Sequence, residues 1–311
     1  MKIIDCVIIG SGPAGYSAAI YLARSNIKHL IYTGNLPGGQ LINSTIIENY
    51  PGFSNGILGI NLMNEMYKQA IKFGTIVKFD TIKKVKFNKK KLHYLYTFNN
   101  KKIITKSVII ATGSVPKKLK IKYENKYLGY GISYCATCDG IIFKNKIVAV
   151  IGGGNTALEY TILLSKICKY IYLIVRKNKL KCTKILENII NKKKNIKILF
   201  KYTIFKLKGN TKLKYIYIKK KKKIKIIKLS CLFIAIGYLP NTLIFKNQIN
   251  MDKKGYIITK NKSTNTNISG IFAAGDVQDK IYKQAIISAG SGCIAALEVE
   301  KYLYKYNKKN E

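Results

Sequence analysis

From Asp5 the chain reads DCVIIGSGPAGYSAAIYLARS: a short β-branched apolar run, a glycine turn, then apolar residues recurring at helical spacing. The same order returns from Lys146 in KIVAVIGGGNTALEYTILLSK. A second apolar run follows each copy, HLIYTG (29–34) and YIYLIVRK (170–177). Strand, tight turn, helix and strand, twice over, predict two βαβ units. Later in each half, period-2 alternation predicts strands broken by lysine or asparagine turns, in KLHYLYTFNNKKIITKSVIIATG (91–113) and KLKYIYIKKKKKIKIIKLSCLFIAIG (212–237). Both stretches close on a glycine exit, Ala111-Thr112-Gly113 or Ala235-Ile236-Gly237.

These patterns predict an α/β chain with two Rossmann-like dinucleotide-binding domains of three-layer ββα type. Residues 241–311 are too few for a third domain and most economically complete the first. The expected domains are therefore 1–113 with 241–311, and an inserted 114–240, with hinges at GSVPK (113–117) and GYLPN (237–241).

A chain of 311 residues with 48% apolar content suits a soluble globular protein. No apolar run approaches the roughly 20 residues of a membrane helix. The start, MKIIDCVIIGSGPAG, is apolar like a signal peptide but runs directly into the glycine motif. Residue 1 is thus expected to begin the mature fold, in the cytoplasm. The net charge of +42 raises nucleic-acid binding, yet only Arg24 and Arg176 among the 56 basic residues are arginines, and lysine is spread along the whole chain. That spread fits an A+T-rich coding bias, and KKKKKIK (219–225) reads as a solvated hairpin tip. No nucleic-acid-binding motif accompanies the charge.

Seven cysteines are too few and too uneven for a secreted disulfide framework at this size. Cys6, Cys168, Cys231 and Cys293 lie in apolar surroundings and are expected to be buried; Cys182 has no evident role. Cys135 and Cys138, within SYCATCDG (133–140), are spaced for joint chemistry. Structural zinc needs four ligands, but the only histidines, His29 and His93, lie far off in strand-like segments and no second Cys pair exists. A structural disulfide closing so short a loop adds little stability and is reduced in the cytosol. A redox dithiol remains. Near a helix start its thiolate is favoured, and Asp139 is placed to trade a proton with it.

Gly10, Ser11, Gly12, Pro13, Ala14 and Gly15 follow a strand and open a helix, as a dinucleotide fingerprint requires. Gly10 permits the turn, Gly12 lets the backbone approach a pyrophosphate, and Gly15 allows close helix packing, with the phosphates at the helix N-terminus. Gly152, Gly153, Gly154, Asn155, Thr156 and Ala157 form the second copy. Its second strand ends in Val175-Arg176-Lys177, with Lys179 and Lys181 nearby, which favours the 2′-phosphate of NADPH over NADH. Arg176 stands out from the lysine background and can hold phosphate by two parallel hydrogen bonds. The first copy ends in Thr33-Gly34 with no acid for a ribose; GNLPGGQ (34–40) and Gly275-Asp276 suit a flavin nucleotide instead.

The stretches GSGPAGYSAAIYLAR, GGQL, ENYPG, IIATG, CATCDG, IGGGNTALE, AIGYLPNT and FAAGDVQDKIYKQAIISAGSGC resemble bacterial low-molecular-weight thioredoxin reductases across essentially the whole length. The resemblance implies FAD held by Gly10–Gly15, by Thr33, Gly34, Asn35, Leu36, Pro37, Gly38, Gly39 and Gln40, and by Asn49 and Asp276. Cofactor contact is also implied for Ala111, Thr112, Gly113 and Gly275, and for Val277, Gln278, Asp279, Lys280, Ile281, Tyr282, Lys283, Gln284 and Ala285. It implies NADPH on Gly152–Ala157 and Arg176, with Lys177 and Lys181 standing where arginines are usual and Val175 replacing a common histidine. Cys138 is implied to lie nearest the flavin, Cys135 to attack the thioredoxin disulfide, and Asp139 to be the general acid. The implied electron route runs from NADPH through FAD and the Cys135–Cys138 disulfide to thioredoxin, in a homodimer whose inserted domain rotates about its hinges. Neither nucleic acid, membrane nor metal is expected. Rival readings are a ferredoxin or flavodoxin reductase on the same two domains, which lacks the Cys pair, and a basic nucleic-acid-binding protein on a degenerate flavoprotein fold.

Overall fold

Ile3–Ile9 can sit at the centre of a parallel sheet because both of its faces are apolar: Cys6, Val7 and Ile8 are fully buried. The computed structural model describes residues 3–44, 46–88 and 92–308; Met1 and Lys2, at the expected start of the fold, and Lys91, at the start of the expected 91–113 stretch, lie outside these. Its contacts divide the chain into two units, Met1–Val115 with Leu239–Glu311, and Pro116–Tyr238. Among the described residues six α-helices occur: α1 Pro13–Arg24, α2 Gly59–Lys72, α3 Ala136–Asp139, α4 Asn155–Ser165, α5 Lys184–Asn191 and α6 Ala285–Lys308.

In the first unit Ile3–Ile9 pairs in parallel with His29–Tyr32 on one side and Lys102–Ile110 on the other. Ile76–Lys78 extends the first flank and Ile271–Ala273 the second. Lys102–Ile110 serves two layers. Its later residues pair with Ile271–Ala273, while its earlier ones pair antiparallel with His93–Thr97, which leads to Ile82–Lys86. Successive side chains of the central strand then serve different cores. Cys6 and Ile8 face Ala18, Leu22, Leu62 and Val299 of the helices. Val7 and Ile9 face Leu95, Phe245 and Val277 beneath the antiparallel layer.

The second unit repeats the arrangement. Ile147–Ile151 lies between Tyr170–Val175 and Cys231–Ile234, with Ile196–Phe200 and Ile132–Ser133 outermost. Thr203–Gly209, Leu213–Lys220 and Lys223–Lys228 form its antiparallel layer. The lateral strand order is the same in both units, although the fifth strand comes from after the insertion in one and from before the glycine strand in the other. The α/β class expected from the paired βαβ patterns is thus present twice. The lysine run 219–225 turns at Lys221 and Lys222, both exposed, as a hairpin tip should.

The chain crosses between units through Ser114–Pro116 and Tyr238–Pro240, which pair as a two-stranded ribbon. Within the first unit the Asn241 amide donates to Gly113 O (3.0 Å) and its side chain to Thr112 O (2.8 Å). Within the second, Lys117 N donates to Gly237 O (2.9 Å).

One cysteine departs from expectation. Cys6, Cys168 and Cys231 are buried, but Cys293 is only partly so. On α6 it flanks the buried stripe of Gly292, Ala295, Ala296 and Val299 rather than lying within it.

Two glycine positions are fixed by geometry. Gly10 has φ +109° and a Cβ there would fall on the Ala111 carbonyl; Gly152 has φ +152° and would meet the Ala235 carbonyl. Strain at such a φ alone is about 1–3 kcal/mol. Gly10→Ala is therefore expected to reduce the urea unfolding free energy by at least about 2 kcal/mol at unchanged slope. Gly12→Ala, whose Cβ enters open space, should lose under about 1 kcal/mol. Equal losses for the two would refute the packing argument.

Candidate active site

Ile132–Ser133 is the outermost parallel strand of the second unit, and the chain turns from it almost at once into α3. Cys135 is the N-cap of that helix. Its Sγ accepts the Cys138 amide at 3.2 Å and lies 3.2 Å from Thr137 Oγ1. Cys135 and Cys138 form a disulfide with Cα atoms 5.3 Å apart. Amide and hydroxyl groups aimed at Cys135 Sγ favour a thiolate there once the bond is reduced. Cys138 is the more exposed of the two.

Asp139 closes the turn. Its Oδ2 accepts the Ser133 hydroxyl at 2.6 Å, while Ser133 Oγ accepts the Cys135 amide at 3.0 Å. Burial pushes the Asp139 carboxyl upward and the Ser133 hydrogen bond pulls it partly back. A carboxyl so placed holds its proton closer to neutral pH than a surface aspartate does.

Tyr134, immediately before Cys135, is held at both ends. Its hydroxyl donates to Glu124 Oε1 at 2.8 Å, and its carbonyl accepts the Tyr160 and Tyr238 hydroxyls, each at 3.1 Å. Glu124 is only 4% exposed and also accepts the Leu119 and Lys120 amides, both at 2.9 Å. Burial and the neighbouring Glu124 carboxylate push the Tyr134 hydroxyl far up, so it stays a donor.

Register places this turn beside the second glycine loop. Ser133 and Val150 both pair with Phe233, so Cys135 and Gly152 leave the same edge of one sheet, separated by the Cys231–Ile234 strand. Two strand spacings put them about 10 Å apart. In the loop itself Gly154 caps α4 without a side-chain hydrogen bond, leaving first-turn amides for a ligand. Arg176 and Lys177 follow directly from Tyr170–Val175 and are exposed, as is Lys181. Lys181 N donates to Gly153 O at 2.6 Å and Thr183 N to Asn155 Oδ1 at 3.2 Å, which ties the basic loop to the glycine loop. Val175 is buried against Gly153.

The first unit gathers its own set. Ser11 Oγ donates to Thr33 O at 3.1 Å and accepts the Gly38 amide at 3.0 Å, joining the first glycine turn to the 33–40 loop. Gly39 lies over Gly12, and Gly275 against Ala14. Asn49 Nδ2 donates to Gln284 Oε1 at 3.2 Å. Asp276 accepts the Ser288 hydroxyl at 3.1 Å; burial raises its carboxyl, and Lys283 opposes that rise. Gly12 opens onto free space at the uncapped N-terminus of α1, a shape and polarity suited to a pyrophosphate. Other expected residues contribute elsewhere. Val277 lies in the core, Lys280 pairs with Asp252 at 3.3 Å, and Asp279 Oδ1 accepts the Ile281 and Tyr282 amides. Lys283 Nζ donates to Tyr256 Oη and Asp279 O, each at 3.0 Å.

The sequence gives no role to Ser133, Glu124 or Tyr160, and places Tyr238 and Asn241 in the expected hinge 237–241 without their contacts. Ser133 carried a signal, a small hydroxyl residue two places before a helix-capping cysteine.

Residues 4–292 match the family described as pyridine nucleotide-disulphide oxidoreductase. A thioredoxin reductase from Buchnera aphidicola is 49% identical, with 96% of each chain covered. Among solved structures, a thioredoxin reductase from Giardia duodenalis superposes with a TM-score of 0.91 at 32% identity, covering 98% of this chain and 100% of that one. One from Streptococcus pyogenes gives 0.91 at 34%, covering 97% and 99%.

Removing the Glu124 carboxylate strands two amides and a phenol at once. Glu124→Ala is expected to destabilise the protein by about 3 kcal/mol and Tyr134→Phe by about 1 kcal/mol in urea titration. A Glu124→Ala loss no larger than that of Tyr134→Phe would refute the shared-acceptor role.

Proposed function

Since the chain belongs to the pyridine nucleotide-disulphide oxidoreductase family, we propose that it is a thioredoxin-disulfide reductase working with FAD and NADPH. The observation that carries this reading is the Cys135–Cys138 disulfide, its sulfur at a helix start and a part-buried acid beside it, on the sheet edge that also bears a nucleotide loop. The thioredoxin reductases that match nearly the full chain support it.

Gly12, the α1 N-terminus, the 33–40 loop and Asp276 would hold FAD; Gly152–Ala157, Arg176, Lys177 and Lys181 would hold NADPH. When bound, these cofactors supply the electron pair that opens the disulfide. The residues of the chain do the rest. As the S–S bond breaks, Cys135 would leave as a thiolate that the Cys138 amide steadies and would take the proton of Asp139, while Cys138 keeps the other negative charge; Asp139 takes the proton back when Cys135 attacks. Cys135 attacks the thioredoxin disulfide, and the mixed disulfide resolves when Cys138 attacks Cys135. Reduced thioredoxin departs and the Cys135–Cys138 bond re-forms. Cys138, the more exposed of the two residues, is the one that the resemblance sets facing the flavin. Lys177 and Lys181 supply charge without the forked geometry of arginine, so Arg176 carries most of the 2′-phosphate specificity.

A nucleotide loop and a redox turn about 10 Å apart on one edge compete for the same outward direction. Rotation of the inserted unit about 113–117 and 237–241 would present them in turn. The resemblance extends to a homodimer in the cytoplasm; among the described residues no helix is long and apolar enough to cross a membrane.

Anaerobic titration with NADPH, followed by oxidised thioredoxin, tests the whole reading. Wild-type protein is expected to bleach its flavin absorbance and recover it on adding thioredoxin. Cys135→Ser should still bleach with NADPH but reduce no thioredoxin; full thioredoxin turnover by this variant would reject the thiol route. Arg176→Ala should raise KM for NADPH about tenfold with kcat little changed and leave NADH use as it was.

A further inference from the structure

Ser133 is 4% exposed, and its hydroxyl lies between the redox turn and the acid. Its Oγ accepts the Cys135 amide at 3.0 Å, lies 2.6 Å from Asp139 Oδ2, and lies 3.2 Å from the Cys135 carbonyl oxygen. A seryl hydroxyl has one proton to give and two lone pairs to receive. The Cys135 amide occupies one lone pair throughout. With Asp139 ionised, the hydroxyl proton points to Oδ2. With Asp139 protonated, the carboxyl O–H fills the second lone pair and the hydroxyl proton turns to the Cys135 carbonyl. Neither state leaves a buried donor unpaired, and an unpaired group of that kind costs roughly 1–3 kcal/mol.

We infer that Ser133 is the positioning residue for the proton step: a rotating hydroxyl that keeps Asp139 hydrogen-bonded in both of its protonation states and fixes it to the backbone of Cys135. The inference rests on the reductase reading. In the oxidising direction a thiol of the pair gives its proton to the Asp139 carboxylate, the resulting thiolate attacks an external disulfide, and one thiolate of that disulfide leaves. The second protein thiol loses its proton to solvent and attacks in turn, releasing the other thiolate and closing Cys135–Cys138. In the reducing direction the proton returns from Asp139 to the sulfur that leaves. Ser133 touches neither sulfur.

The titratable groups facing Asp139 from the elements packed against it are Tyr160 on α4 and Cys231 on the Cys231–Ile234 strand. Burial pushes Tyr160 up to about 12 and raises Cys231 well above an ordinary thiol, so neither exchanges protons near neutrality. Asp139 and the cysteine pair are left to shape the pH response.

The test follows oxidation of the dithiol by an aromatic disulfide, the yellow thiolate product being read across the neutral pH range in dithiothreitol-reduced, desalted holoprotein. The charge-assisted bond to the carboxylate is the stronger of the two that Ser133 offers, and the net effect of the hydroxyl is to lower the Asp139 carboxyl, so in Ser133→Ala its pKa rises further and the rate limb moves to higher pH. Ser133→Ala should show that displacement with oxidation about tenfold slower at neutral pH. Ser133→Ala combined with Asp139→Asn should be no slower than Asp139→Asn alone, since Ser133 acts through the acid. A wild-type limb in Ser133→Ala, or a further loss in the double variant, overturns the inference. Ser133→Thr keeps the hydroxyl at a strand position suited to a β-branched residue, and it decides the matter should the alanine variant not fold. Its limb must coincide with that of the wild type; a displaced limb overturns the inference. Wild-type protein that reacts with the aromatic disulfide but never reduces thioredoxin would defeat the reductase reading and leave the Ser133 result standing on its own.

Discussion

A carbonyl stands where a side chain would have to be: Ala111 O beneath Gly10, Ala235 O beneath Gly152. These two close approaches let the central strand of each unit turn away within a residue of its last pairing, so the helix that follows starts at the sheet edge. Its uncapped amides then face the same side as the ends of the neighbouring strands. Ligands of open α/β sheets bind at that edge for this reason. In the first unit the edge collects Ser11, Thr33, Gly38 and Gly39 through direct contacts. In the second it collects the glycine loop, the basic loop after Val175, and the redox turn.

The redox turn shares its edge because Ile132–Ser133, only two residues long, lies in register with the strand next to the glycine strand. Two residues cannot fix a catalytic geometry by pairing alone. The additional restraint comes through Tyr134, whose hydroxyl and carbonyl are held by Glu124, Tyr160 and Tyr238. Tyrosine suits this position because a large ring fills the space between layers while its hydroxyl reaches a polar partner. The two cysteines therefore sit at a helix of four residues, while the residue before them is held at both its hydroxyl and its carbonyl.

Much of this was legible in the sequence because it is local. The repeat of strand, glycine turn, helix and strand needs nothing beyond spacing, and Cys135-x-x-Cys138 with Asp139 lies within five residues. What stayed hidden depends on contacts between distant positions. Tyr238 meets Tyr134 across 104 residues, and Asn241 meets Thr112 across 129. No periodicity marks such residues. Cys293 differs from expectation for a related reason: its neighbours in the sequence are apolar, but only the packing of α6 on α1 decides which face is covered. The same limit separates Val277, which belongs to the core, from its neighbour Asp276 at the site.

The charge imbalance sharpens which acids matter. With 14 acidic residues against 56 basic ones, lysines cannot be neutralised pairwise, and three ion pairs occur among the described residues. Many lysines rest instead over aromatic rings, as Lys102 does on Tyr94 and Lys283 on Tyr256. Exposed acids therefore have little structural work in this chain, and several of the better-buried ones serve donors that lysine cannot. Glu124 takes two amides and a phenol. Glu298 takes the Thr264 amide and the Ser263 and Thr264 hydroxyls. Asp276 and Asp139 each take a seryl hydroxyl at their sites. A lysine can supply the charge of an arginine but not its forked hydrogen bonding. It is no substitute for a buried acceptor, because an ammonium group only donates, so the amides and hydroxyls that these carboxylates serve could not be served by lysine.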